Sequence, residues 1–84
     1  MYFNPVAKKS MLKVNTLADL SDNQTYQLWA DVEGEMVDMG IFDNSTAFVS
    51  MDYVANPESF NVTIEPKGGS KHPTVSRLIL SEKV

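Results

Sequence analysis

The chain has 84 residues, enough for one domain near the small end of what folds unaided and too few for two. It has no cysteine and a single histidine, His72, which excludes disulfides, thiolate metal centres and histidine metal clusters and leaves the core to hold the fold alone. Eleven acidic against seven basic residues give a formal charge of −4, and with only Lys8, Lys9 and Lys13 clustered this argues against a nucleic-acid partner.

In chain order, Tyr2 and Phe3 end a strand, Asn4-Pro5 marks a turn, and Lys8 and Lys9 lead into a second run, so the start reads as a hairpin. In the second run Leu12, Val14 and Thr16 share one face and Met11, Lys13 and Asn15 the other, a half-exposed strand whose lysines guard an edge. Residues 17–24 are a connecting loop. Its Leu17 and Leu20 tuck back onto the core, and Asp19 and Asp22 are expected to bond turn amides rather than a metal.

Residues 25–32 are the clearest strand, with Tyr26, Leu28, Ala30 and Val32 on one face and Gln27, Trp29 and Asp31 on the other. The only tryptophan is therefore read as a packing residue. Glu33-Gly34-Glu35 makes a tight hairpin turn, and the return strand over 36–42 puts Val37, Met39 and Ile41 on one side and Met36, Asp38, Gly40 and Phe42 on the other. Gly40 leaves space for a large neighbour, for which Trp29 is the candidate. A turn at 43–46 precedes a short strand from Phe48 to Asp52, and one helical turn is expected within residues 54–59.

Phe60, Val62 and Ile64 alternate with Asn61, Thr63 and Glu65, a strand that stops at Pro66. The Gly68-Gly69-Ser70 loop that follows has no helix start behind it to hold a phosphate, because Thr74 to Leu80 reads as a last strand. The fold class is thus all-β: one small antiparallel β-sandwich or partly open barrel over 1–84, of about six to seven short strands. Its expected core is Leu12, Val14, Tyr26, Leu28, Trp29, Ile41, Phe48, Phe60, Val62, Ile64, Leu78 and Leu80.

No catalytic constellation stands out. His72 sits beside Pro73 without a nucleophile motif, and Asp31, Glu33, Glu35 and Asp38 crowd one hairpin end where solvation is the expected fate. The chain is therefore expected to be no enzyme, with no catalytic, cofactor or metal residues. Asn-x-Ser/Thr triplets begin at Asn23, Asn44 and Asn61 and matter only in a eukaryotic secretory pathway. No apolar run approaches the roughly 20 residues that cross a bilayer, as holds for a soluble protein and equally for an excised extracytoplasmic domain.

Four segments taken together carry a resemblance: Tyr26-Gln27-Leu28-Trp29, then Gly40-Ile41-Phe42, then Phe60 to Ser70 through Glu65, Pro66, Gly68 and Gly69, then Pro73-Thr74. In this order and spacing they resemble the C-terminal domain of anti-sigma-K factors of the RskA type. The resemblance implies that Tyr26, Leu28, Trp29, Gly40, Phe42, Glu65, Pro66, Gly68, Gly69, Pro73 and Thr74 are structural signature residues. It also implies a longer, single-pass membrane protein of which this chain is a fragment, lacking one or more N-terminal strands.

In such a protein a cytoplasmic segment holds an extracytoplasmic-function sigma factor, and this domain lies on the periplasmic side of the bacterial inner membrane. A regulatory protease is implied as a further partner, and a sheet edge bared by truncation could pair two copies as a dimer. The alternative is a binding module for cell-wall glycan or peptide, with Trp29, Tyr53 or His72 as its contact platform. An exposed Trp29 favours binding, and a buried one favours packing.

Overall fold

The computed structural model describes residues 2–13, 17–45 and 48–84. Seven strands follow one another: β1 Tyr2–Asn4, β2 Lys9–Lys13, β3 Gln24–Val32, β4 Glu35–Phe42, β5 Phe48–Met51, β6 Ser59–Pro66 and β7 Leu78–Lys83. They form two antiparallel sheets, β1-β2-β5 and β4-β3-β6-β7, and neither closes on itself. The all-β, two-sheet arrangement is the one expected.

The local chemistry sets the turns. Asn4 Oδ1 accepts from the amides of Val6 and Ala7, at 3.1 and 3.0 Å, which closes the first hairpin around Pro5. Glu33 and Gly34 both have positive φ, 53° and 85°, in a two-residue loop between the paired Val32 and Glu35. That is the backbone a tight hairpin needs to match the strand twist. The loop before β3 is tied down by the Tyr26 hydroxyl, which donates to the Ala18 carbonyl, and Leu17 and Leu20 pack against the core as expected.

Between the sheets lie Tyr26, Leu28 and Ala30 of β3, Phe60 and Val62 of β6, Met39 and Phe42 of β4, and Leu12 of β2. Phe3 joins the layers at one side, stacked on Tyr53 (centroids 5.4 Å apart) and tilted against Phe60 (5.3 Å). The Asp52 amide donates to the Met39 carbonyl at 2.9 Å, a second tie between the layers. The three-stranded sheet is one strand narrower, so Leu80 and Glu82 of β7, which pair with Val62 and Phe60 on the inner face, stay exposed.

Several expectations need correcting. β4 does not alternate regularly, because a bulge between the Leu28–Gly40 and Trp29–Asp38 pairs inserts Met39. Met39 and Phe42 both reach the core, while Ile41, opposite Gln27, lies on the outer face and is 47% exposed. The atom that fills the space beside Gly40 is Met51 Cε, 3.1 Å from where a Cβ would stand, and not Trp29. Trp29 is buried, but on the face away from the core. Phe48, Leu78 and Leu80 are exposed, Ile64 is half-buried, and Val14 lies outside the described residues.

The helical turn expected within 54–59 is absent. Asn56 takes a left-handed φ of 57° ahead of Pro57, a residue type that disfavours helix in its predecessor, and the Glu58 amide bonds the Asp31 carbonyl instead. A 3-10 turn occurs at Val75–Arg77, so the last strand starts at Leu78 and not at Thr74.

Ser10 sits on β2 at 2% exposure, and its hydroxyl has no hydrogen-bond partner among the described residues. An orphaned buried hydroxyl keeps its desolvation cost without compensation, so Ser10→Ala should stabilise the domain by about 1 kcal/mol. Urea denaturation followed by circular dichroism checks this, and a destabilised variant would contradict the orphan assignment.

Candidate functional site

The outer face of the four-stranded sheet carries a second buried layer, and it is polar. β3 and β6 pair so that Gln27 stands opposite Thr63 and Thr25 opposite Glu65. Strand alternation that points Tyr26, Leu28, Val62 and Ile64 inward turns Gln27, Trp29, Thr63 and Glu65 outward. An outward position on a sheet is ordinarily wet, yet none of these four is more than 1% exposed. The chain after β6 folds back over them.

That return begins with a turn in which the Gly69 amide donates to the Pro66 carbonyl at 2.9 Å and Gly68 has a φ of 94°. Gly69 then passes so close to the sheet that a Cβ there would stand 2.8 Å from Ile41 Cγ2 and 3.1 Å from Gln27 Oε1. Only glycine fits. Ser70 and Gln27 bond reciprocally, amide to Oε1 at 2.8 Å and Nε2 to carbonyl at 3.0 Å, so the glutamine side chain mimics a strand neighbour.

Glu65 is the hub. Its Oε1 accepts from the hydroxyls of Ser70 (3.0 Å) and Thr74 (2.6 Å), and its Oε2 from the Thr63 hydroxyl (2.6 Å) and the Thr74 amide (2.8 Å). Thr63 in turn accepts from the Trp29 indole at 2.9 Å, so a donor chain runs Trp29 to Thr63 to Glu65. Burial alone pushes the Glu65 carboxyl up. The donors Thr63, Thr74 and Ser70 outweigh it and hold the group below the ordinary 4.5. A fully buried carboxylate kept ionised by neutral donors suits a clip. A general acid at neutral pH needs the opposite shift.

The expected signature residues fall into two groups. Tyr26, Leu28 and Phe42 form part of the inner core, with Tyr26 stacked on Phe42 (5.4 Å) and Gly40 at the bulge opposite Leu28. Trp29, Glu65 and Thr74 belong to the outer network, with Pro66, Gly68 and Gly69 in its turn and Pro73 half-buried beside Thr74. Gln27, Thr63 and Ser70 were missed as members. Gln27 and Thr63 carry a signal, as uncharged polar residues in strand register with Trp29 and Glu65 on the non-core face; Ser70 lies past the end of β6 and carries none.

The proposed contact platform does not come together. Trp29 is buried, Tyr53 stacks on Phe3 at the rim of the sandwich, and His72 is exposed on the segment after β6. The acidic hairpin serves its own backbone, Asp31 accepting from the Gly34 amide and Asp38 from the Gly40 amide. Asp19 accepts from Asn44 Nδ2 at 2.7 Å. No group of three or more potential metal ligands occurs among the described residues.

A family model described as anti-sigma-K factor rskA, C-terminal, matches residues 1–78. No curated protein and no solved structure gives a significant match.

Two outcomes follow from the network. Because the folded Glu65 carboxyl titrates below its unfolded value, its contribution to stability is complete above pH 4.5 and is lost as pH falls from there through the folded value. Acid titration of unfolding free energy should show this loss, and Glu65→Gln should remove that part of the pH dependence. Trp29→Ala should cost about 3–5 kcal/mol, measured by denaturant unfolding; a cost near zero would mean the outer layer packs nothing.

Proposed function

The chain belongs to the anti-sigma-K factor rskA C-terminal family, and from that membership we propose that it is the extracytoplasmic regulatory domain of a membrane-anchored anti-sigma factor. The family match over residues 1–78 carries the reading. On it, the domain is one folded piece of a longer protein whose cytoplasmic segment holds a sigma factor and whose transmembrane helix lies elsewhere in the chain. No helix among the described residues is long and apolar enough to cross a membrane. The domain stands on the periplasmic side of a bacterial inner membrane and governs, through its stability or its exposure to a regulatory protease, when the sigma factor is released to direct transcription.

The chemistry described above is consistent with a non-enzymatic role. The buried carboxylate is committed to four neutral donors, and Asp31 and Asp38 accept from the backbone of their own hairpin. The formal charge of −4 does not favour nucleic acid, so on this reading the effect on transcription is indirect. A dimer, if the domain forms one, would use β7, an edge strand with all six residues exposed. Burial of Trp29 favours packing over glycan or peptide contact for that residue.

Two experiments test the proposal in the full-length protein. Deleting these 84 residues should change the output of a sigma-factor-dependent reporter in at least one stress condition; unchanged output under all of them would sink the regulatory role. Alkaline phosphatase fused after residue 84 should be active, as it is only outside the cytoplasm, and an inactive fusion with stable expression would place the domain on the wrong side.

A further inference from the structure

The C-terminal part of the chain is attached differently from the rest. None of residues 67–84 is fully buried, and every residue of β7 is exposed. β7 is an edge strand paired only with β6. The segment before it is fastened chiefly by polar bonds: Ser70 to Gln27 and Glu65, Thr74 to Glu65, and the Lys67 amide to the Asn23 carbonyl. Beneath it lie Trp29, Gln27, Thr63 and Glu65, all dry, on a face that contributes nothing to the layer between the sheets.

We propose that residues 70–84 form a strap that opens as one unit about Gly68-Gly69 while the two-sheet sandwich stays folded. Opening gives up the dry cover over Trp29 but no packing between the sheets, because Tyr26, Leu28, Met39, Phe42, Phe60 and Val62 keep their inner contacts when the strap leaves. The two glycines already hold φ values of 94° and 84°, which gives the pivot backbone freedom that other residues lack. The closed form is selected by the Glu65 and Gln27 bonds, so the strap is a two-state element with a defined catch. Opening wets the Trp29 indole and turns β6 from an interior strand into a sheet edge. A molecule that binds only that face or edge shifts the domain toward the open form. The inference rests on geometry alone and holds whether or not the domain regulates a sigma factor.

Native-state amide hydrogen exchange resolved by NMR tests it. The amides of Ser70, Thr74 and Val84, bonded respectively to Gln27, Glu65 and Glu58 outside the strap, should exchange together, about tenfold or more faster than the slowest β3 amides. Val49→Ala, which loosens packing in the opposite sheet, should accelerate the β3 amides and leave the strap group unchanged. Thr74→Val, which removes one bond to Glu65, should accelerate the strap group about fivefold or more. A strap group that exchanges at the β3 rate, follows Val49→Ala, or ignores Thr74→Val would overturn the proposal.

Discussion

One ionised carboxylate decides how the outer half of this domain is built. Glu65 is fully buried without a cation among its hydrogen-bond partners, and four donors from three residues replace the water it lost. Two of those donors come from Thr74 and one from Ser70, so satisfying the charge fixes the course of the chain for eight residues after the strand ends. The fourth comes from Thr63, which also receives the Trp29 indole. Burying the tryptophan, covering the sheet and solvating the carboxylate are therefore one event, and the loss of any donor leaves a buried charge partly unmet.

The pairing of β3 with β6 gives the domain two unlike layers from two strands. Eight consecutive pairs, from Gln24–Pro66 to Asp31–Ser59, run without a shift. Because side chains alternate, the same register delivers Tyr26, Leu28, Phe60 and Val62 to an apolar layer and Gln27, Trp29, Thr63 and Glu65 to a hydrogen-bonded one. A slip of one residue would exchange the two sets and put Glu65 among the core aromatics. The polar layer thus specifies register more sharply than the apolar layer does alone.

How legible this was in the sequence depends on what each residue competes against. Strand existence, both early hairpins and the inner faces of β3 and β6 follow from period-two alternation, and they were read correctly at Tyr26, Leu28, Phe60 and Val62. Ile41 was misplaced because a bulge at Met39 shifts the alternation by one residue, and no composition signal in 36–42 distinguishes a bulge from a regular strand. Leu78 and Leu80 look like core by residue type and are exposed for reasons of topology and not of local pattern: Leu80 pairs with Val62 on the inner face where the opposing sheet ends one strand short, and Leu78, past a register shift, pairs with Thr63 on the outer face. Trp29 was read as packing, which is right, but the layer it packs in was invisible: it exists only once Ser70 and Thr74, distant in sequence, return to the sheet.

The tryptophan's position also has an optical meaning. The only indole in the chain lies outside the inter-sheet core and is wired through Thr63 to Glu65, so its fluorescence senses the outer layer. Far-ultraviolet circular dichroism senses the strands of both sheets. The two signals watch different layers of one small domain, and their melting curves need not coincide. A fluorescence midpoint taken alone would describe the cover over Glu65 and could be mistaken for the unfolding of the whole sandwich.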